Sequence, residues 1–242
     1  MFKPEVANTR PIFLIHHPEI LGELKLADKG IEKSGLRYYT YNEIDSVRGE
    51  IELQSRNASQ KEDAQRSTYE KQMLKLGNAV MLYQRLRNSI QSERTKDFAQ
   101  QIKDYPALRT AGLVAFRAQR AGEKFDEEAL RNFAETAQGF EMVANLAYPR
   151  VIPPEDPTQP NTEWKNVGAS LLDSIQTGTT PPAVAWYARM ATAFSQGNSA
   201  EFNAALGEYR GWLEGKFSKD VLKGRAEFYF NQIKTFLHAT II

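Results

Sequence analysis

The chain holds three histidines and no cysteine, and that pair of facts bounds its chemistry. His16 and His17 are adjacent, so on any regular element they point apart and do not close on one ion, and His238 stands alone near the C-terminus. Without cysteine there are no disulfides, thiolate metal sites or Cys nucleophiles, and no CxxCH for covalent haem attachment. Carboxylates gather at Glu123, Asp126 and Glu128 and again at Glu155 and Asp156. These read as a helix start and a solvated loop, because acid–base catalysis needs carboxylates in a desolvated, shaped site. No GxSxG, HExxH, GxxxxGK[ST] or strand-borne GxGxxG occurs. No catalytic, cofactor-binding or metal-binding residue is therefore assigned.

The 242 residues carry 31 basic and 30 acidic side chains, a net charge of +1, which gives no electrostatic case for a nucleic-acid partner. A mean hydropathy of −0.53 with 41% hydrophobic residues is a globular profile. Residues 1–11 lack the basic-then-apolar layout of a signal peptide.

The expected fold is mostly α, a multi-helix hairpin or bundle domain with at most a small two-stranded β element near the N-terminus. Ile12–Ile15 predicts a strand, Pro18 and Glu19 open a helix of about two turns ending near Ala27, and Asp28–Gly35 is a polar loop. Arg37–Tyr41 predicts the second strand, leading into the capping-box spacing Thr40-x-x-Glu43. Ile44, Val47 and Ile51 form one apolar stripe, and Tyr69, Met73, Leu76, Val80, Tyr83 and Ile90 form a heptad-like seam that suits an intramolecular helical hairpin. Tyr105-Pro106 ends that region. A helix from Ala107 closes at Gly122, and Asp126 caps the next, whose stripe is Leu130, Phe133, Ala137, Phe140, Ala144 and Ala147.

Three segments follow: residues 1–147, a Pro-rich connection at 148–163, and a helical region at 164–242. The connection holds five prolines, and its apolar anchors Val151, Ile152 and Trp164 predict an ordered path across the domain face. Beyond it, helices are expected from Trp164 to Gln176, from Pro181-Pro182 to Gly197, and from a Ser199 cap to Glu214, the last two resembling one tetratricopeptide-type hairpin. From Ser218 a final helix carries Leu222, Ala226, Tyr229, Ile233, Phe236 and Leu237 at helical spacing, with rising hydrophobicity and no stop signal. It suits a helix about to enter a membrane; periodicity serves a helix docked on the core equally well.

Several strings taken together resemble one family, the membrane-bound cytochrome c biogenesis proteins of the CcsA/ResC type with a large extracytoplasmic region ahead of the membrane core. They are PEVANTRPIFLIHHPEI from Pro4, RYYTYNEI from Arg37, the Tyr69–Tyr83 helix, Pro153-Pro-Glu-Asp156 leading to Trp164, FNAALGEY from Phe202 and EFYFN from Glu227. The resemblance implies an accessory domain of a haem-delivery and cytochrome c assembly protein on the periplasmic side of the cytoplasmic membrane, positioning apocytochrome c or a partner membrane subunit. Haem is implied for the whole protein and not for these residues. Thr235 stands where the family's ending has proline, and the tryptophan-rich segment and transmembrane histidines of such proteins are absent from the 242 residues, so no haem ligand carries over. Trp164 and His238 are the candidates for a partner-facing or haem-proximal role. A non-catalytic helical scaffold for protein–protein interaction is the alternative, and a soluble enzyme with a cleft between its helical halves is a third reading.

Overall fold

The computed structural model describes residues 4–160 and 163–233. Among these it has eleven α-helices and one three-stranded antiparallel sheet, a mostly α fold with a small β element. Two compact units form: residues 4–93 with Leu146–Tyr148, and residues 94–145 with 149–233.

The first unit runs α1 (Pro4–Ala7), β1 (Pro11–Leu14), α2 (Pro18–Glu23), β2 (Ile31–Lys33), β3 (Leu36–Thr40), α3 (Tyr41–Asp45), α4 (Arg48–Ser59) and α5 (Thr68–Arg87). β3 is central, antiparallel to β1 and to β2. β2 corrects the expected polar loop. Ser34 and Gly35 both take positive φ, 54° and 75°, the two-residue turn that matches the twist of a hairpin, and this turn folds Ile31–Lys33 back onto β3. α2 is shorter than expected, ending at Glu23, because Lys25 enters the left-handed region at φ 52°.

The Thr40 capping box forms and also holds the preceding loop. Glu43 accepts from Thr40 N–H and Oγ1–H at 2.7 Å each and from Gly30 N–H at 2.9 Å. Burial alone would push the Glu43 carboxyl up, but these bonds outweigh it and hold the group below the usual carboxylate range. The stabilisation is thus present above the unfolded value near ~4.3 and is lost as pH falls through the lower folded value. Glu43→Gln is expected to lower stability at pH 7 by about 1 kcal/mol. Urea midpoints at pH 7 and pH 3 check this: the wild type should lose more on acidification than the variant, and equal losses would count against Glu43 as the acid-labile group.

The seam folds inward as an intramolecular hairpin. Met73, Leu76, Val80 and Tyr83 of α5 are buried with Ile44 and Ile51 against the inner sheet residues Phe13 and Tyr39. α4 and α5 approach so closely at Gly77 that a Cβ there would lie 1.9 Å from Ser55 Oγ, so only hydrogen fits. The polar stretch from Gln54 stays helical to Ser59, and Ser67 then caps α5 with a second capping box through Glu70.

The second unit comprises α6 (Phe98–Arg120), α7 (Glu127–Leu146), α8 (Val167–Thr177), α9 (Pro182–Gln196), α10 (Ser199–Lys216) and α11 (Ser218–Ile233). Pro106 does not end a helix; α6 runs through it. An interior proline costs about 3 kcal/mol, and here it takes an exposed position of a helix that buries Phe98, Ile102 and Tyr105, about 1.5–3 kcal/mol each. Asp126 caps α7 as expected, Oδ1 accepting from Ala129 N–H at 2.9 Å. Of the α7 stripe only Phe140 is fully buried, joined by Val143, while Leu130, Phe133, Ala137, Ala144 and Ala147 are half-buried. α8 begins at Val167 rather than Trp164, because Asn166 is the cap, accepting from Ala169 N–H at 2.8 Å. Gly178 and Gly197 end α8 and α9 in the left-handed conformation. The cap of α10 is Asn198, with Ser199 its first helical residue, and α11 likewise contains Ser218.

Candidate functional site

Trp164 leads to the most developed surface of the second unit. It lies before α8 in a short chain reversal: Ile152 and Lys165 form an isolated antiparallel bridge, with N–H···O bonds of 2.9 and 2.8 Å, which ties the Pro-rich connection to the start of α8. Ile152 and Pro153 are buried, so this part of the connection packs into the unit. Trp164 meets Phe217 edge-on at 5.9 Å, Phe217 meets Trp212 at 5.6 Å, and Trp212 meets Trp186 at 5.4 Å and Tyr209 at 6.2 Å. The tryptophans are half-buried, which leaves part of each ring open to a partner.

This aromatic row is built by the α9–α10 hairpin and held by charge. Arg189 makes a two-pronged contact to Glu208, 2.5 and 3.1 Å, and also donates to Glu201 at 2.7 Å. Trp186 Nε1–H donates to Glu208 as well, at 3.1 Å. Arg189 first, and Trp186 second, hold the Glu208 carboxyl below its usual range. Tyr209 donates to the Val151 carbonyl at 2.9 Å, fixing the connection against α10; burial first, and Tyr187 beside it second, push its phenol up, so it stays protonated and donating. The connection also walls a cleft of about 380 Å³, whose lining includes none of these rings. Glu155, Asp156, Glu163 and Asp173 line it against the single ammonium of Lys165, itself paired with Asp173 at 2.5 Å. Bonds from Thr158 keep Asp156 ionised to lower pH than usual. An anionic cleft suits a cationic, extended chain.

The sequence singled out Trp164 but not Trp186, Tyr209, Trp212 or Arg189. The i, i+3 spacing of Tyr209 and Trp212 was the available signal, and only the α9–α10 crossing brings Trp186 to them. His238 lies outside the described residues.

A wider concavity of about 850 Å³ in the first unit is lined by His17, Gln54 and Tyr69 among others. There the Tyr69 hydroxyl joins Glu23 and Gln54, and its phenol is pushed up by burial first and by Glu23 second. These bonds pin α2 to the α4–α5 hairpin. His17 packs edge-on against Tyr69 at 5.8 Å with Nδ1 buried and unbonded, while His16 is exposed. No group of three His, Cys, Asp or Glu that could hold a metal occurs among the described residues.

The cleft walled by the connection is lined by carboxylates and no histidine, and the groove lined by both His16 and His17 measures about 160 Å³.

At α11, the side chains from Leu222 to Gln232 face solvent, with Leu222, Phe228, Tyr229 and Phe230 each at least half exposed. The stripe positions Leu222, Ala226 and Tyr229 are therefore not docked on the core, and Phe236 and Leu237 lie outside the described residues. Among the described residues no helix is long and apolar enough to cross a membrane. No family model, curated protein or solved structure matches the chain.

Proposed function

We propose that the chain is a non-catalytic docking domain of a cytochrome c assembly protein of the CcsA/ResC type, working on the extracytoplasmic side of the membrane. Its task is to position apocytochrome c, or a partner membrane subunit, for haem attachment carried out elsewhere in the assembly. The observation that carries this reading is α11: a helix that presents Leu222, Phe228 and Tyr229 to solvent calls for an apolar environment beyond its own domain. The ordered run of family-like strings from Pro4 to Phe236 supplies the identity of the assembly. The acidic cleft and the aromatic row would receive the unfolded apocytochrome, rings stacking on the chain and carboxylates meeting its basic side chains.

Capture by an immobilised apocytochrome c peptide containing CxxCH tests the reading. Retention above a CxxCH-free peptide of equal charge is expected, weakening roughly tenfold in the double variant Trp164→Ala, Trp212→Ala, since each lost aromatic contact is worth about 0.5–1.5 kcal/mol beyond area. Equal retention by both peptides would favour the unspecific helical scaffold and count against the cytochrome role.

A further inference from the structure

In the first unit the outer edge of β1 lies open. Sheet order β1-β3-β2 leaves β1 paired on one side only among the described residues. Ile15 N–H donates to Arg37 O at 3.4 Å and Phe13 stands opposite Tyr39, so residues 13 and 15 turn their main-chain groups toward β3. By the alternation of an antiparallel ladder, the N–H and C=O of Leu14 then point away from it. Along this edge runs a groove of about 160 Å³ between β1 and α5, flanked by Ile12, Leu14 and Ala79 with Leu76 among its buried lining. Ile12 and Leu14 are 50% and 40% exposed, unusual for the outward positions of an antiparallel strand. The ionisable groups lining the groove are His16, His17 and Lys75, and no carboxylate lines it.

We infer that this edge and groove form a strand-addition site for an extended peptide. An open ladder edge calls for another main chain, because only a backbone supplies donors and acceptors at strand spacing. The apolar groove calls for apolar side chains at alternate positions, and Lys75 with His16 for a carboxylate among them. A flat lipid surface answers the apolar face but leaves the Leu14 groups without ladder partners. The inference deepens the proposed function, resting on it only for the partner's identity: an unfolded apocytochrome is such a peptide, and recognition through the main chain tolerates many sequences.

A fluorescein-labelled octapeptide alternating valine and threonine, with aspartate at each end and no cytochrome sequence, tests it by anisotropy with the full chain. Saturable binding is expected, and N-methylation at alternate residues, which keeps every side chain but removes the edge donors, should weaken it roughly tenfold. Ala79→Trp, which fills the groove from an exposed position, should weaken it by a similar factor, and Lys75→Glu roughly threefold. Equal binding of the N-methylated peptide, or no binding of the parent, overturns the proposal. So does a dimer in light scattering that dissociates on Ile12→Lys, which would assign the edge to a second copy. Sedimentation with phosphatidylserine vesicles that Leu14→Lys abolishes, with the peptide ignored, overturns it in favour of lipid. Apocytochrome capture that survives Ala79→Trp would leave the assembly role standing without this site, whereas octapeptide binding without apocytochrome capture would leave the site standing without that role.

Discussion

Gly168→Ala is expected to destabilise the second unit by about 3 kcal/mol, lowering its Tm by roughly 6–12 °C. A Cβ at this position would lie 2.3 Å from Ala144 N, 2.4 Å from Phe140 O and 2.8 Å from Val143 C. All three atoms are backbone, so no rotamer change relieves the clash and α7 and α8 must separate. Separation would open space around Val143, Val167 and Leu171, which are 3%, 0% and 1% exposed, and stretch the 2.9 Å bond from Asn166 Nδ2 to Ala144 O. Helix propensity argues the other way, since alanine is better than glycine by about 1 kcal/mol within a helix. The clash is the larger effect, so circular dichroism melting should show a lower Tm; an unchanged or higher Tm would mean that the α7–α8 contact is looser than described.

Tyr105→Ala should cost about 3–5 kcal/mol, and Tyr105→Phe only about 1. Tyr105 is 1% exposed, meets Phe140 edge-on at 5.2 Å, and its hydroxyl donates to Leu171 O at 3.3 Å while accepting from Ser174 Oγ at 3.1 Å. Alanine leaves a cavity lined by α6, α7 and α8, while the buried Ser174 hydroxyl keeps its 2.6 Å bond to Leu171 O. Phenylalanine keeps the ring and forfeits only the polar contacts. Urea unfolding of the two variants separates these contributions, and similar losses for both would shift the weight from packing to the hydroxyl network.

What could be read along the chain was whatever neighbouring residues decide among themselves. Thr40 and Glu43, three residues apart, satisfy each other's backbone groups, and Asp126 reaches Ala129 without help from elsewhere. The Tyr69–Tyr83 seam was legible because its buried side chains share one side of a helix. β2 escaped notice because Ile31-Glu-Lys33 has no strand signal of its own; its state is imposed by β3, and the readable clue was the Ser34-Gly35 turn. Pro106 misled for the opposite reason. Its local cost is real, but burial of Phe98, Ile102 and Tyr105 along the same helix exceeds it.

The candidate surface divides in the same way. The apolar anchors Val151 and Ile152 marked where the connection packs, and Trp164 marked its end. The row from Trp164 through Phe217, Trp212 and Trp186 joins residues up to 53 positions apart, and no periodicity links them; the α9–α10 crossing and the Arg189–Glu208 contact do.

The sequence by itself determined the helical class, the caps and stops of most helices, the apolar seam of α5 and the absence of cysteine chemistry, because each follows from side chains within a turn or two of one another or from composition. Tertiary structure alone decided that β2 is a strand, that α6 passes through Pro106, that indole rings gather along the α9–α10 hairpin, and that α11 keeps Leu222, Phe228 and Tyr229 in solvent. Those outcomes depend on which distant surfaces meet, and burial gained or withheld between remote segments outweighs any preference a short stretch can express.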